Sequence, residues 1–101
     1  MYYVYILTSQ KDTAMYIGVT NDLRRRLREH KNEQAEGFTK QYHLHKLVHF
    51  EEYSEIQAAI AREKQLKHWS RNKKNALVES KNPQWYDWSA PPENHPNEVK
   101  S

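Results

Sequence analysis

Cysteine is absent from the 101 residues. That absence removes disulfide frameworks, thiol catalysis and every cysteine-based zinc motif at once, and makes a cytoplasmic location the default expectation. There is no Gly-rich phosphate loop, no His-Glu-x-x-His and no Gly-x-Ser-x-Gly. P-loop nucleotide hydrolysis, zincin proteolysis and hydrolase-fold ester chemistry therefore lack support, and no nucleotide cofactor is expected. Long apolar runs are missing too. The run from Tyr2 to Leu7 is too short for a membrane helix or a signal-peptide core, and no basic stretch precedes it, so neither insertion nor export is expected. Three of the four prolines, Pro91, Pro92 and Pro96, fall in a segment that has almost no apolar residue besides Ala90 and Val99. Residues 89–101 read as a disordered tail after a domain spanning 1–88.

The length is that of one small domain with one core. Only 37% of residues are hydrophobic and the mean hydropathy is -1.14, so that core must be thin. Seven Tyr, three Trp and two Phe help to fill it, and argue for a folded body. The net charge of +3 says little, but its distribution says more. Thr20–Asn32 holds five basic and two acidic residues, and Arg62–Lys74 six and one. The rest of the chain is net acidic. Two basic stretches on an acidic body form a footprint for a polyanion, or else two solvated helix faces.

Tyr2–Thr8 and Ala14–Val19 are β-branched and aromatic, and the polar residues 9–13 between them have hairpin length, which predicts an antiparallel pair. Alternation puts Tyr3, Tyr5 and Leu7 on one face of the first strand, and Tyr16 with Gly18 on one face of the second. Thr20 and Asn21 are good caps, and Leu23, Leu27 and His30 recur at helical spacing through Lys31. Arg26 borders that stripe, while Arg24, Arg25 and Arg28 project elsewhere. Asn32–Thr39 reads as a loop, and Leu44–Tyr53 as a third strand. Ser54-Glu55-Ile56-Gln57 has the form of a capping box before a helix to about Lys67, with Ile56, Ala59, Ile60 and Glu63 on one stripe. Ser70 can cap a last helix that ends at Asn82-Pro83, after which Trp85 and Trp88 are expected to pack back onto the body. The order is ββαβαα.

Glu63 fits a purely structural account least, because a carboxylate on an inward or cleft-facing stripe needs a partner. That partner is either Arg26 or another basic side chain, or a hard divalent ion held together with waters and phosphate oxygens. Tyr5 and Tyr16 are ordinary strand aromatics unless cations lie beside them. A phenol with an unperturbed pKa near 10 costs about 4 kcal/mol to ionise at pH 7, which Arg26 and a bound metal could lower. His43, His45 and His49 invite a metal reading, since His-x-His places two imidazoles on one face of a strand. No third ligand stands at a diagnostic spacing, so they are taken as incidental surface or edge histidines.

Together these residues resemble the GIY-YIG nuclease superfamily, in particular its small stand-alone single-domain bacterial members, and are similar to the N-terminal domain of the excision-repair nuclease of bacteria. The likeness runs from Tyr2 to about Trp88. Tyr3-Val4-Tyr5 stands where the first motif would be, and Tyr16-Ile17-Gly18 reproduces the second. Arg26 follows ten residues after Tyr16, and His30 four later. Ala61-Arg62-Glu63-Lys64-Gln65 looks like the segment with the metal-binding glutamate, and Asn82-Pro83-x-Trp85 like the closing motif with its functional asparagine. Tyr3 replaces the glycine of the first motif. Val19 stands where the excision-repair nuclease has a lysine, which removes a cation that would help to lower a tyrosine pKa.

The resemblance implies an α/β domain on a three-stranded antiparallel sheet flanked by helices, with Tyr5, Tyr16, Arg26 and Glu63 converging on one sheet face. It also implies a divalent-metal-dependent endonuclease acting on DNA, branched or damaged DNA included, in repair or recombination. Glu63 would hold Mg2+ or Mn2+, Arg26 would stabilise the transition state, and Tyr16, supported by Tyr5 and His30, would handle the water's proton. Asn82 would position the phosphate or the site wall. Arg24, Arg25, Arg28, Lys64, Lys67, Arg71, Lys73 and Lys74 would grip the DNA backbone without reading bases. With no appended DNA-recognition domain in the sequence, little sequence specificity is expected. The alternatives are a non-catalytic nucleic-acid-binding module of the same fold and a protein-interaction domain solubilised by its charges.

Overall fold

A computed structural model describes residues 1–33 and 37–89 of the chain. The expected tail, apart from Ser89, lies outside the described residues. Strands β1 (Tyr2–Thr8) and β2 (Met15–Thr20) are followed by α1 (Leu23–Lys31), a single turn α2 (Phe38–Gln41), β3 (Lys46–Tyr53), α3 (Ile56–Lys67) and α4 (Arg71–Lys81). The major elements follow the order ββαβαα. The short α2 falls across the end of the expected loop, where four residues are too few to show a helical period. No helix among the described residues is long and apolar enough to cross a membrane.

The sheet is antiparallel with the order β2-β1-β3, so the first strand is central and pairs on both sides. Every residue from Val4 to Thr8 is buried, because helices cover both faces. Val4 and Ile6 point to a core with Ile17, Val48, Ala59 and Leu66 of α3, and Val78 of α4. Tyr5 and Leu7 point the other way, to Leu44, Leu47 and the α1 residues Leu23 and Leu27. The layers are thus α1, sheet, then α3 with α4. Between Ile6 and Leu7 the β1–β3 register slips: Ile6 faces His49 but Leu7 faces Leu47, which leaves Val48 as the extra residue of a bulge.

Two caps differ from expectation. The N-cap of α1 is Asp22, whose carboxylate accepts from Arg25 N at 3.1 Å, while Thr20 stays in β2 and accepts from Asp22 N. The Ser54–Gln57 capping box does not form. Helix α3 starts at Ile56, with Glu55 as its N-cap and no side-chain bond. Ser70 caps α4 as expected by accepting from Lys73 N, and Asn82 closes that helix. Trp85 packs back against the core beside α3 and α4, whereas the Trp88 side chain stays exposed.

Helix α3 is fastened to β3 through Glu51. Burial alone would push its carboxyl up. Hydrogen bonds from His49 Nε2 (2.8 Å), Arg62 Nε (2.8 Å) and Tyr53 Oη (2.8 Å) instead hold it well below the usual carboxylate range. Replacing Glu51 by Gln leaves the guanidinium without its counter-charge in a half-buried place. We expect Glu51→Gln to lower stability by roughly 1–3 kcal/mol, read as a lower urea midpoint at unchanged slope.

Candidate active site

Across the β1–β2 ladder Tyr5 stands opposite Gly18. A Cβ at Gly18 would lie 2.6 Å from both Cζ and Oη of Tyr5 and 2.8 Å from Tyr16 Cε2. Glycine is required there for space, so that the Tyr5 phenol can lie across β2. Tyr16, two residues earlier on the same face, brings its ring to 6.2 Å from that of Tyr5.

Helix α1 closes this face. Its Leu23 and Leu27 pack beside Tyr5, and the next residue of the stripe, His30, is buried with its ring 5.8 Å from Tyr5 and 5.7 Å from Tyr16. His30 Nε2 lies 3.1 Å from Tyr5 Oη. Arg26, one turn earlier, donates from Nε to the same phenol oxygen at 3.4 Å and from Nη1 to Glu29 at 2.8 Å. Four of the expected site residues, Tyr5, Tyr16, Arg26 and His30, are therefore brought together.

Their electrostatics separate their roles. Burial pushes Tyr5 up to about 12, against the hydrogen bond from Arg26. Burial and the nearby Arg26 charge push His30 down to about 4, so its imidazole is neutral near pH 7. With Arg26 donating to its oxygen, the Tyr5 hydroxyl is free to donate to His30 Nε2, which assigns the imidazole proton to Nδ1. That Nδ1 has no hydrogen-bond partner among the described residues. Glu29 raises Arg26 above its usual range, and Arg26 in turn lowers Glu29. Glu29 was not singled out in the sequence, although its i,i+3 spacing from Arg26 is the signal that places it there.

Glu63 does not join the cluster on the same sheet face. It lies on the stripe of α3 between Ala59 and Leu66, and these pack against Val4 and Ile6, the face opposite Tyr5. Among the described residues its ion-pair partner is Lys67 at 3.1 Å, one turn on. The open edge of β2 connects the two sides. There Ile56 and Ile60, on the stripe that leads to Glu63, line a cleft of about 400 Å3 together with Arg25, Arg26 and Glu29. Asn82 is likewise apart from the phenols. It is 2% exposed, its Nδ2 donates to Val48 O and Tyr86 O, and its Oδ1 accepts from Tyr86 N, so it pegs the segment after α4 against β3.

A model of the GIY-YIG catalytic domain matches residues 1–75, which include both tyrosines, Arg26, His30 and Glu63. The chain belongs to the GIY-YIG family. It is 38% identical over 78 residues to a UPF0213 protein of Haloquadratum walsbyi, covering 77% of this chain and 86% of that one. A UPF0213 protein of Clostridium perfringens is 40% identical over 81 residues, covering 80% and 86%. The solution NMR structure of the UPF0213 protein BH0048 from Bacillus halodurans superposes with a TM-score of 0.56 at 30% identity, over 88% of this chain and 95% of that one.

This GIY-YIG domain carries most of its expected phosphate-binding cations on the surface. Arg24, Arg25, Arg28, Lys64, Lys67, Arg71 and Lys73 are exposed, and Lys74 is half-buried. Some already have internal work. Arg71 donates to the backbone carbonyls of Asp12 and Thr13 in the β1–β2 turn, and Lys73 sits 4.4 Å from the centre of the Trp69 ring.

Two outcomes test this geometry. Gly18→Ala should displace the Tyr5 ring and cost roughly 1–3 kcal/mol of stability, measured by urea unfolding, with altered ring-proton shifts for Tyr5 and His30. Because the folded pKa of His30 is depressed, the unfolded chain binds the extra proton. Its contribution is complete above about pH 6.5 and is lost as the pH falls toward 4, amounting to at most about 3 kcal/mol. The stability difference between wild type and His30→Gln should therefore change between those two pH values and be flat above them.

Proposed function

We propose that this chain is a divalent-metal-dependent endonuclease that hydrolyses DNA phosphodiesters with little sequence specificity. The convergence of Tyr5, Tyr16, Arg26 and His30 around Gly18, in a chain matched by a GIY-YIG catalytic domain, carries the reading. Tyr16 is the better placed of the two phenols to orient the attacking water, because it is half-buried on the edge strand β2. Tyr5, buried and held in its protonated form, acts instead as the strut between Arg26 and His30. His30, neutral and beside the Tyr5 hydroxyl, supports that phenol in place. Arg26 reaches the cleft at the β2 edge and offers its guanidinium to the charge that develops on the phosphate.

Glu63 is the carboxylate that would hold Mg2+ or Mn2+. A single hard oxygen donor, 17% exposed and paired with a half-exposed lysine able to swing away, suits an ion that keeps most of its waters. An ion held by Glu63 would supply charge stabilisation to the phosphate. Asn82 takes a positioning role, holding the chain after α4 against β3. The exposed arginines and lysines of α1, α3 and α4 would supply salt-sensitive backbone contacts. DNA, branched or damaged forms included, is the partner this reading implies, with repair or recombination as its setting and the cytoplasm as its place.

One observation favours the second reading, a binding module without turnover: Glu29 already neutralises Arg26 at 2.8 Å. Metal-dependent cutting separates the two. Wild type should nick plasmid or branched DNA only with Mg2+ or Mn2+. Arg26→Ala and Glu63→Ala should each lose about 100-fold or more of that rate while retaining DNA binding in a gel-shift titration. A wild type that binds DNA but never cuts it across a panel of structures and metals overturns the nuclease reading in favour of the module.

A further inference from the structure

His43 and His45 do not lie on a strand. They lie in the turn between α2 and β3, and Glu33, ten residues before His43, reaches them from the end of α1. The three side chains present one ligand atom each within 4.8 Å of one another. Both imidazoles address the same carboxylate oxygen: His43 Nδ1 hydrogen-bonds to Glu33 Oε2, and His45 Nε2 lies 3.4 Å from it. That second nitrogen is buried and makes no hydrogen bond. The two rings meet edge to face, with an interplanar angle of 84°.

The backbone adds an independent observation. Glu33 and His43 both have left-handed φ values, 56° and 55°. Each follows a helix: Glu33 N donates to His30 O, and His43 N donates to Lys40 O. Such helix-ending positions ordinarily favour glycine or asparagine. Here both are occupied by residue types that bind metals, and left-handed non-glycine residues gather at ligand clamps. Two imidazoles with one carboxylate form a borderline-soft donor set suited to zinc, unlike the lone hard oxygen of Glu63. Four-coordinate zinc with bonds of about 2.0–2.1 Å needs ligand atoms roughly 3.4 Å apart, which is the spacing already present between Glu33 and His45.

We propose that Glu33, His43 and His45 form a zinc site that clasps the end of α1 to the turn entering β3, with a water as the fourth ligand. On binding, the ion takes the place of the proton on the His43 nitrogen that faces Glu33, and the imidazole keeps its one proton on the other ring nitrogen, Nε2. The site sits one turn beyond His30, next to the candidate active site. It stands whether or not the chain cuts DNA.

Calorimetric titration of the full chain with zinc chloride near neutral pH should give one ion per chain. Cobalt(II) in its place should show the intense visible absorption of four-coordinate geometry. His43→Ala and His45→Ala should each weaken zinc binding about tenfold or more, and both should keep the wild-type circular dichroism spectrum. His68→Ala and Glu63→Ala should bind as wild type. The absence of saturable binding overturns the proposal, as does binding that survives the double variant His43→Ala/His45→Ala or that disappears in Glu63→Ala.

Discussion

One phenol ring resting on a strand position without a side chain organises this molecule's reactive face. Tyr5 belongs to the central strand, so its backbone is pinned by neighbours on both sides, and its ring can only go where Gly18 leaves room. From there its oxygen meets both the guanidinium and the imidazole delivered by successive turns of α1. Moving any one of these groups moves the others. The cluster is thus a packing arrangement first and a chemical one second. Burial keeps the Tyr5 proton on and the His30 proton off, which fixes a directed hydrogen-bond chain before any substrate arrives.

Much of this was legible from residue spacing. Alternation in the first two strands put Tyr5, Tyr16 and Gly18 on a common face, and the Leu23–Leu27–His30 stripe put the imidazole beneath them. Helix propensity and capping patterns found α1, α3 and α4 but missed the caps at Asp22 and Glu55, the first because β2 runs one residue past its local signal to Thr20. Glu63 shows where periodicity stops. A helical stripe reveals that a residue faces inward but not which side of the sheet it faces, and α3 covers the side away from the phenols. The Glu33–His43–His45 cluster was illegible for a related reason. A sequence shows the His-x-His spacing, but the third donor comes from another element, brought near by two left-handed residues at helix ends. Asn82 stood out as a motif residue, and only its three hydrogen bonds, to Val48 and Tyr86, reveal a holding role.

Charge segregation reads differently in three dimensions. The basic residues of α1 and of α3–α4 lie on opposite layers of the sheet, and at the free edge of β2 the α1 arginines Arg25 and Arg26 share a cleft with the start of α3. A polyanion engaging both sets would have to pass round an edge of the sheet. A concavity of about 600 Å3 beside Glu51, Arg62 and Trp88 lies instead along the β3 side. An open rim suits a long charged chain, since phosphates bound there keep much of their water.

The extra residue in the third strand sets the phase of everything after it. Had Val48 paired regularly with Ile6, each later position would have turned over, and the Glu51 carboxylate would have emerged beside Tyr3 on the α1 side. The molecule would then have had an acid pointing toward its basic first helix and an uncompensated Arg62 on the far layer. A one-residue hitch in a ladder thus assigns each charge its hemisphere, keeping the α3 clasp and the tyrosine cluster from competing for the same cation.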